Sequence, residues 1–189
     1  MEDNILAASG TETESMERSR LENGPILILL VGVPGSGKST WAYRNAQSAI
    51  MVSQDDLIDA ITPSGFDGSA RPIYAAAEES IARSALSAGR TVIVDRTNRT
   101  RTLRQRWIAI AREARRPVVA IAMCADLETC RSRNRSRSGL RRVCETRMER
   151  MIEAFEAPDA EEGLDAILDD YGFSTVLDVM KVLQRVRQP

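Results

Sequence analysis

The sequence contains no histidine, and only two of its 26 basic residues are lysines, Lys38 and Lys181. Without imidazole there is no Ser-His-Asp or Cys-His relay and no histidine metal site. A general base is then a carboxylate or one of very few other groups, and a catalytic lysine has two candidates. Three cysteines, Cys124, Cys130 and Cys144, are too few and too scattered for a disulfide framework or a four-cysteine zinc site. They read as reduced thiols of a cytosolic protein. No apolar run nears the roughly 18 residues of a membrane span, and the first residues lack the basic-then-apolar pattern of a secretory signal. These absences lead us to expect a soluble, cytoplasmic protein with no membrane partner.

What is present is 189 residues, 43% of them hydrophobic, enough for one compact domain with a buried core. Residues 1–24 carry six acids against two bases and read as a disordered acidic tail with a helical turn around 15–21. Residues 25–189 read as a single domain. The continuous apolar run 26–31 suits a strand buried on both faces. Further strands are expected at 50–52, 91–95, 118–123 and 164–168. Helices are expected at 38–47, 55–61, 72–88, 102–115, from Asp126 into an Arg-Ser stretch, at 143–155, and from a Ser174 cap to 187. Strands alternating with helices predict an α/β sandwich with a mostly parallel, five-stranded sheet.

The net charge of −1 conceals a strong asymmetry. Residues 96–150 hold 16 arginines against five acids, a net of +11, while the flanking segments are acidic.

Gly32-Val33-Pro34-Gly35-Ser36-Gly37-Lys38-Ser39 fits G-x-x-x-x-G-K-[ST] without a mismatch, between an apolar strand and a helix. The glycines let backbone N–H groups wrap a phosphate chain, and the following helix points its positive end at the same anion. Gly32, Pro34, Gly35, Ser36, Gly37, Lys38, Ser39 and Thr40 are thus candidate ATP-binding residues. Lys38 is assigned to the β/γ-phosphates and the Ser39 hydroxyl to Mg²⁺. Asp55 and Asp56 follow the second strand, at the sheet edge that carries this loop. One of them can be a general base and the other a helix cap, and spacing alone divides the roles evenly. Asp95 ends a β-favouring run in the manner of a Walker-B acid near the Mg²⁺ shell, or simply opens a turn. Arg96, Thr97 and Asn98 follow on the same loop, to reach a substrate or brace the site. In the stretch 130–139, Arg133 and Arg137 are four apart and would share a helix face. Such a flap can close over ATP phosphates, bind nucleic acid, or be only a solvated basic loop. Trp41, Trp107 and the 148/151/152/155 spacing read as core.

In order along the chain, these segments resemble the phage-type 5′-hydroxyl polynucleotide kinase domain and its wider family of P-loop kinases. The resemblance rests on 32–42, including Trp41-Ala42 after the loop, on Asp55-Asp56, on Asp95-Arg96-Thr97-Asn98, and on Arg133-Asn134-x-x-Arg137. It covers about residues 25–155. It implies a kinase-type P-loop NTPase sandwich with the Walker-B strand beside the loop strand, and an arginine-rich helical lid at about 126–145. It further implies that Asp55 is the general base, that Arg133 and Arg137 contact the donor phosphates, and that ATP and Mg²⁺ are used with a 5′-hydroxyl nucleic acid as acceptor. Two positions depart from the nucleic-acid-specific members. Ile58 stands where they carry an acceptor-binding arginine, and Gln54 stands where they carry a basic residue. Arg71, Arg99, Arg101 and Arg104 are left as substitutes. A small hydroxyl acceptor (nucleoside, sugar or antibiotic) and a non-catalytic ATP- or nucleic-acid-binding regulator are the alternatives.

Overall fold

The computed structural model describes residues 24–187. The expected acidic tail lies outside them, apart from its last residue. Five strands, β1 (Leu27–Val31), β2 (Ile50–Ser53), β3 (Val92–Asp95), β4 (Val118–Ala122) and β5 (Ala166–Asp169), form one sheet in the order β2-β3-β1-β4-β5. Every pairing is parallel. Seven helices connect them: α1 (Lys38–Asn45), α2 (Gln54–Ile61), α3 (Arg71–Ser87), α4 (Arg101–Glu113), α5 (Leu127–Arg135), α6 (Glu145–Glu153) and α7 (Val176–Arg187). This is the α/β P-loop fold that the sequence predicts, with β3 directly beside β1.

The apolar run of β1 explains the layering. A strand alternates its side chains, so a strand apolar at every position must be covered twice. Leu27, Leu29 and Val31 pack with Ala82, Leu86, Trp107 and Ile110 of α3 and α4. Ile28 and Leu30 pack on the other face with Trp41 and Ala42 of α1 and Val179 and Leu183 of α7. A third, smaller cluster of Val33, Cys130 and Met148 seats α5 and α6 against the loop that follows β1. All three cysteines are free. No helix among the described residues is long and apolar enough to cross a membrane.

Element ends follow local chemistry. Pro72 lies in the first turn of α3, and Gly89, at φ 75°, ends that helix. Asp126 caps α5 by accepting from the Thr129 N–H. Three expectations need correction. The final helix is capped by Thr175, not Ser174: its hydroxyl accepts from the Asp178 N–H while Asp178 accepts from the Thr175 N–H. β5 starts at Ala166 because Asp165 is held just outside the strand, its carboxylate accepting from the Val118 N–H. α6 ends at Glu153, two residues short, and leaves Phe155 exposed, so the apolar stripe of that helix is buried only at Met148 and half-buried at Met151 and Ile152.

One buried ion pair ties the loop after β3 to the distal part of the chain. Arg104 is 0% and Glu162 5% exposed. The Arg104 guanidinium donates to both Glu162 carboxylate oxygens, at 2.7 and 2.5 Å, and to the backbone carbonyls of Asn98, Glu156 and Ala157. With every donor direction used, the charge is compensated. Arg104 is therefore structural and is removed from the candidate acceptor contacts. Glu162→Gln leaves the guanidinium buried without its counter-charge and is expected to destabilise the fold by about 3–5 kcal/mol, read from the urea midpoint at unchanged m-value.

Candidate functional site

The loop from Gly32 to Gly37 leaves β1 and enters α1. Gly35 (φ 84°) sits against α5 so closely that a Cβ would lie 2.2 Å from the Cys130 carbonyl oxygen, and Gly37 caps α1 at φ 107°. Only glycine satisfies both the left-handed backbone and that approach. The first N–H groups of α1, from Lys38 to Thr40, have no partner within the helix and face the loop's concavity. Gly32 is different. Its N–H donates to the Thr97 carbonyl at 3.0 Å, so it is a joint rather than an anion donor. Thr40 is exposed, whereas Lys38 is 8% exposed.

The Lys38 ammonium folds back into the loop and donates to the Val33 carbonyl at 2.8 Å and the Ser36 hydroxyl at 3.2 Å. Burial is the main force on it and lowers its pKa to about 8, against the opposing pull of Asp95. Asp95, at the end of β3, is pushed up by burial and pulled down by a hydrogen bond from Ser39 and the charge of Lys38. A serine hydroxyl and a half-buried carboxylate in contact are a hard-oxygen pair suited to Mg²⁺. No three His, Cys, Asp or Glu side chains among the described residues cluster as a metal site, so such an ion would complete its shell with phosphate oxygens and water.

Asp55 and Asp56 open α2, and the cap there is neither of them. Ser53 accepts from the Asp56 N–H. The Asp56 carboxylate instead accepts from the Tyr43 hydroxyl at 2.9 Å and from Arg141 at 3.0 Å. The Asp55 carboxylate has no hydrogen bond or ion pair among the described residues, and it lines the cleft beside Lys38, Ser39 and Asp95. Arg96 also faces this cleft, and its guanidinium is held at 2.5 Å by the fully buried Glu78. Asn98 is 1% exposed, and its amide donates to the Leu30 carbonyl at 2.9 Å. It braces β1 and does not reach outward.

The lid differs from the expected continuous helix. Arg133 lies on α5 and donates to the Gly35 carbonyl at 3.4 Å. α5 ends at Arg135, so Arg137 lies in the turn beyond and shares no helix face with Arg133. It reaches the cleft because Asn134 clasps the returning chain: its amide donates to the Val143 carbonyl at 2.7 Å and its oxygen accepts from the Val143 N–H at 3.1 Å. The site also recruits Arg141 and Arg147, which the sequence did not single out, and Met151, which its spacing assigned to the core. The signal for the two arginines was only membership of the basic segment.

Two clefts result. One, of about 210 Å³, holds Lys38, Ser39, Asp95 and Arg137. A second, of about 550 Å³, lies between α2, the 64–66 loop and the lid. Asp55 lines both.

Residues 27–158 match the family described as AAA domain. Among solved structures, Kti12 from Chaetomium thermophilum in complex with ADP-AlF3 is similar at TM-score 0.59 and 20% identity, over 85% of this chain and 96% of that one. The Mycobacterium tuberculosis APS kinase CysC, in complex with AMPPNP and APS, is similar at TM-score 0.54 and 17% identity, over 86% and 95%. A chain of the Pnkp1/Rnl/Hen1 RNA repair complex is similar at TM-score 0.54 and 24% identity, over 70% of this chain and 47% of that one. At these identities the likeness is one of fold, and the fold is that of P-loop kinases.

The buried lysine gives a test that needs no ligand. Between about pH 8 and 10.5 the unfolded chain holds a proton on Lys38 that the folded chain has released, so stability rises with pH across that window. Below it, the folded state carries the full cost of burying the charge. Lys38→Met is expected to remove this rise and to stabilise the ligand-free protein at pH 7 by about 3 kcal/mol, measured as urea unfolding at stepped pH.

Proposed function

The chain belongs to the AAA-domain family, and on that premise we propose that it is an ATP- and Mg²⁺-dependent kinase transferring the γ-phosphate to the 5′-hydroxyl of a polynucleotide. One observation carries the reading: the carboxylate of Asp55, with no hydrogen bond or ion pair among the described residues, lines both clefts, and the phosphate-binding residues lie in one of them. A hydroxyl entering from the larger cleft meets a base before it meets a phosphorus atom.

The reaction follows from the residues. The N–H groups at the start of α1, with Lys38, hold the β- and γ-phosphates in the smaller cleft. Lys38 exchanges its bonds to Val33 and Ser36 for phosphate oxygens, and a pKa of about 8 leaves it cationic at neutral pH. Ser39 and Asp95 would hold Mg²⁺, which when bound supplies charge neutralisation at the β- and γ-oxygens. Asp55 takes the proton of the attacking hydroxyl as its oxygen bonds to the γ-phosphorus. The bond to the β–γ bridging oxygen breaks in line, and ADP carries away that electron pair. Arg133, seated on the Gly35 carbonyl, and Arg137 stabilise the charge spread over the transferred group.

The acceptor end is supported by the resemblance to polynucleotide kinases and by the cationic lining of both clefts. A second reading, a small hydroxyl acceptor, is favoured by Ile58, which puts an apolar side chain in the larger cleft where nucleic-acid-specific relatives place arginine.

Asp55→Asn is expected to slow transfer by about 10²–10⁴-fold with ATP affinity unchanged, measured with labelled ATP and 5′-hydroxyl DNA and RNA oligonucleotides. Wild-type protein that binds ATP yet labels neither would remove the polynucleotide assignment, and a panel of nucleosides, sugars and antibiotics would then test the small acceptor.

A further inference from the structure

The larger cleft has a chemistry of its own, and it bears on what the acceptor must carry. Several arginines of the basic segment are already committed. Arg131 pairs with Glu149, Arg135 with Glu128, Arg141 with Asp56 and Asp59, and Arg104 with Glu162. Two that line the larger cleft are not. The guanidinium groups of Arg142 and Arg147 have no hydrogen bond or ion pair among the described residues, and Arg147 lines both clefts. The acids on this wall are Asp55, which stands at the junction, and Asp59, which faces Arg141 at 3.6 Å. Among the described residues the pair of guanidinium groups thus has no carboxylate partner, an arrangement that favours a bound anion.

Ile58 and Phe66 add apolar surface to the same cleft. The Phe66 ring stays 46% exposed although it is held from behind, with the Arg71 guanidinium 5.2 Å from its centroid and the Tyr74 ring 5.9 Å away. An exposed aromatic ring locked by its neighbours offers a surface for a flat ring. A volume of about 550 Å³ accommodates a ring, a sugar and a phosphate together.

We infer that the acceptor is a nucleotide unit whose ring lies on the Phe66–Ile58 surface and whose phosphate ester is read by Arg142 and Arg147. The inference rests on the kinase reading above and deepens it. The accepting hydroxyl points past Asp55 into the smaller cleft, and the phosphate that Arg142 and Arg147 hold takes no part in bond breaking. These two arginines, both from the lid side, do the work for which Ile58 has no charge. A free nucleoside 3′-monophosphate and the 5′ end of a strand present this same chemistry.

The test is calorimetric titration of the full chain, saturated with ADP so that the phosphate loop is filled. The probes are uridine, uridine 3′-monophosphate and a 5′-hydroxyl oligouridylate. The 3′-monophosphate is expected to bind at least about 10-fold tighter than uridine. Arg142→Ala and Arg147→Ala are each expected to collapse most of that ratio, and Phe66→Ala to weaken both ligands together. Arg135→Ala, outside both clefts, leaves the ratio unchanged and controls for net charge. An oligonucleotide no tighter than the monophosphate indicates a single-nucleotide site, whereas a tighter, salt-sensitive one indicates a strand. Equal binding of uridine and its 3′-phosphate, no binding of either, or a ratio that survives both arginine substitutions overturns the inference. Transfer from labelled ATP separates it from the parent reading. Equal transfer to phosphorylated and unphosphorylated acceptors overturns the phosphate preference and leaves a kinase. A phosphate preference in binding with no transfer to any acceptor removes the kinase and leaves the anion site.

Discussion

Two hydrogen bonds across the carboxyl ends of β1 and β3 set the separation on which the site depends. The Gly32 N–H donates to the Thr97 carbonyl, and the Asn98 amide donates to the Leu30 carbonyl. The first locks the entry of the phosphate loop. The second stitches the loop after β3 to the strand beside it, with Asn98 held at φ 43°. Asp95 lies just before this stitch and Ser39 just after the phosphate loop, so their contact inherits its geometry from backbone and not from long, mobile side chains. Arg104 then fixes Asn98 from outside, through its carbonyl, and passes the constraint to Glu162 and residues 156–157. A pair that looks like a cost, two charges taken out of water, is what makes the loop after β3 rigid enough to carry Asp95.

Arginine is used here in two physically distinct ways. Some guanidinium groups meet a carboxylate inside the fold: the buried Arg104 with Glu162, and the partly buried Arg96 and Arg106 with the fully buried Glu78. Others face a cleft with no ion pair among the described residues. Arg137, Arg142 and Arg147 carry their charge towards open space. The +11 of residues 96–150 is thus neither a uniform basic patch nor a solvated loop. Part of it is spent on packing the sheet's edge, and the remainder converges on one end of the sheet, where the field of several cations adds.

The loop after β1 and the residues beside it were almost completely legible in the sequence. The strand, the glycines at the two left-handed positions, Lys38, Ser39 and Asp95 are local features: their spacing is fixed by one turn of backbone, and the turn is visible in the residues that build it. The place of β3 beside β1 was implied by the resemblance to P-loop kinases, whereas the all-apolar run showed only that β1 is covered on both faces. The lid was less legible. Whether α5 extends to Arg137 turns on Asn134 clasping Val143, a contact across a returning chain that no helical period predicts. The same holds for Asp56. Its place at a helix start suggested a cap, but Ser53 already fills that role, and Asp56 is free to bind Tyr43 and Arg141, which come from 13 residues before it and 85 residues after it. Long-range polar contacts of this kind leave no periodic trace, and so Arg141, Arg142 and Arg147 were indistinguishable in sequence from their paired neighbours.

The contact between Gly35 and Cys130 limits how such a lid can work. The loop backbone and the α5 backbone approach so closely that no side chain fits between them, and Arg133 adds a bond to the same Gly35 carbonyl. α5 is therefore seated on the phosphate loop and moves with it, and the buried Val33–Cys130–Met148 cluster holds α6 to the same unit. The parts that can adjust to a ligand lie beyond Arg135, where the chain is held by Asn134 at one point and by Arg141 on Asp56 and Asp59 at another. Those exposed ion pairs are individually weak. The arginines of the lid thus divide by how they are held: Arg133 is built into the loop's frame, while Arg137 and Arg141 belong to a short segment whose own contacts are the easiest in the site to exchange.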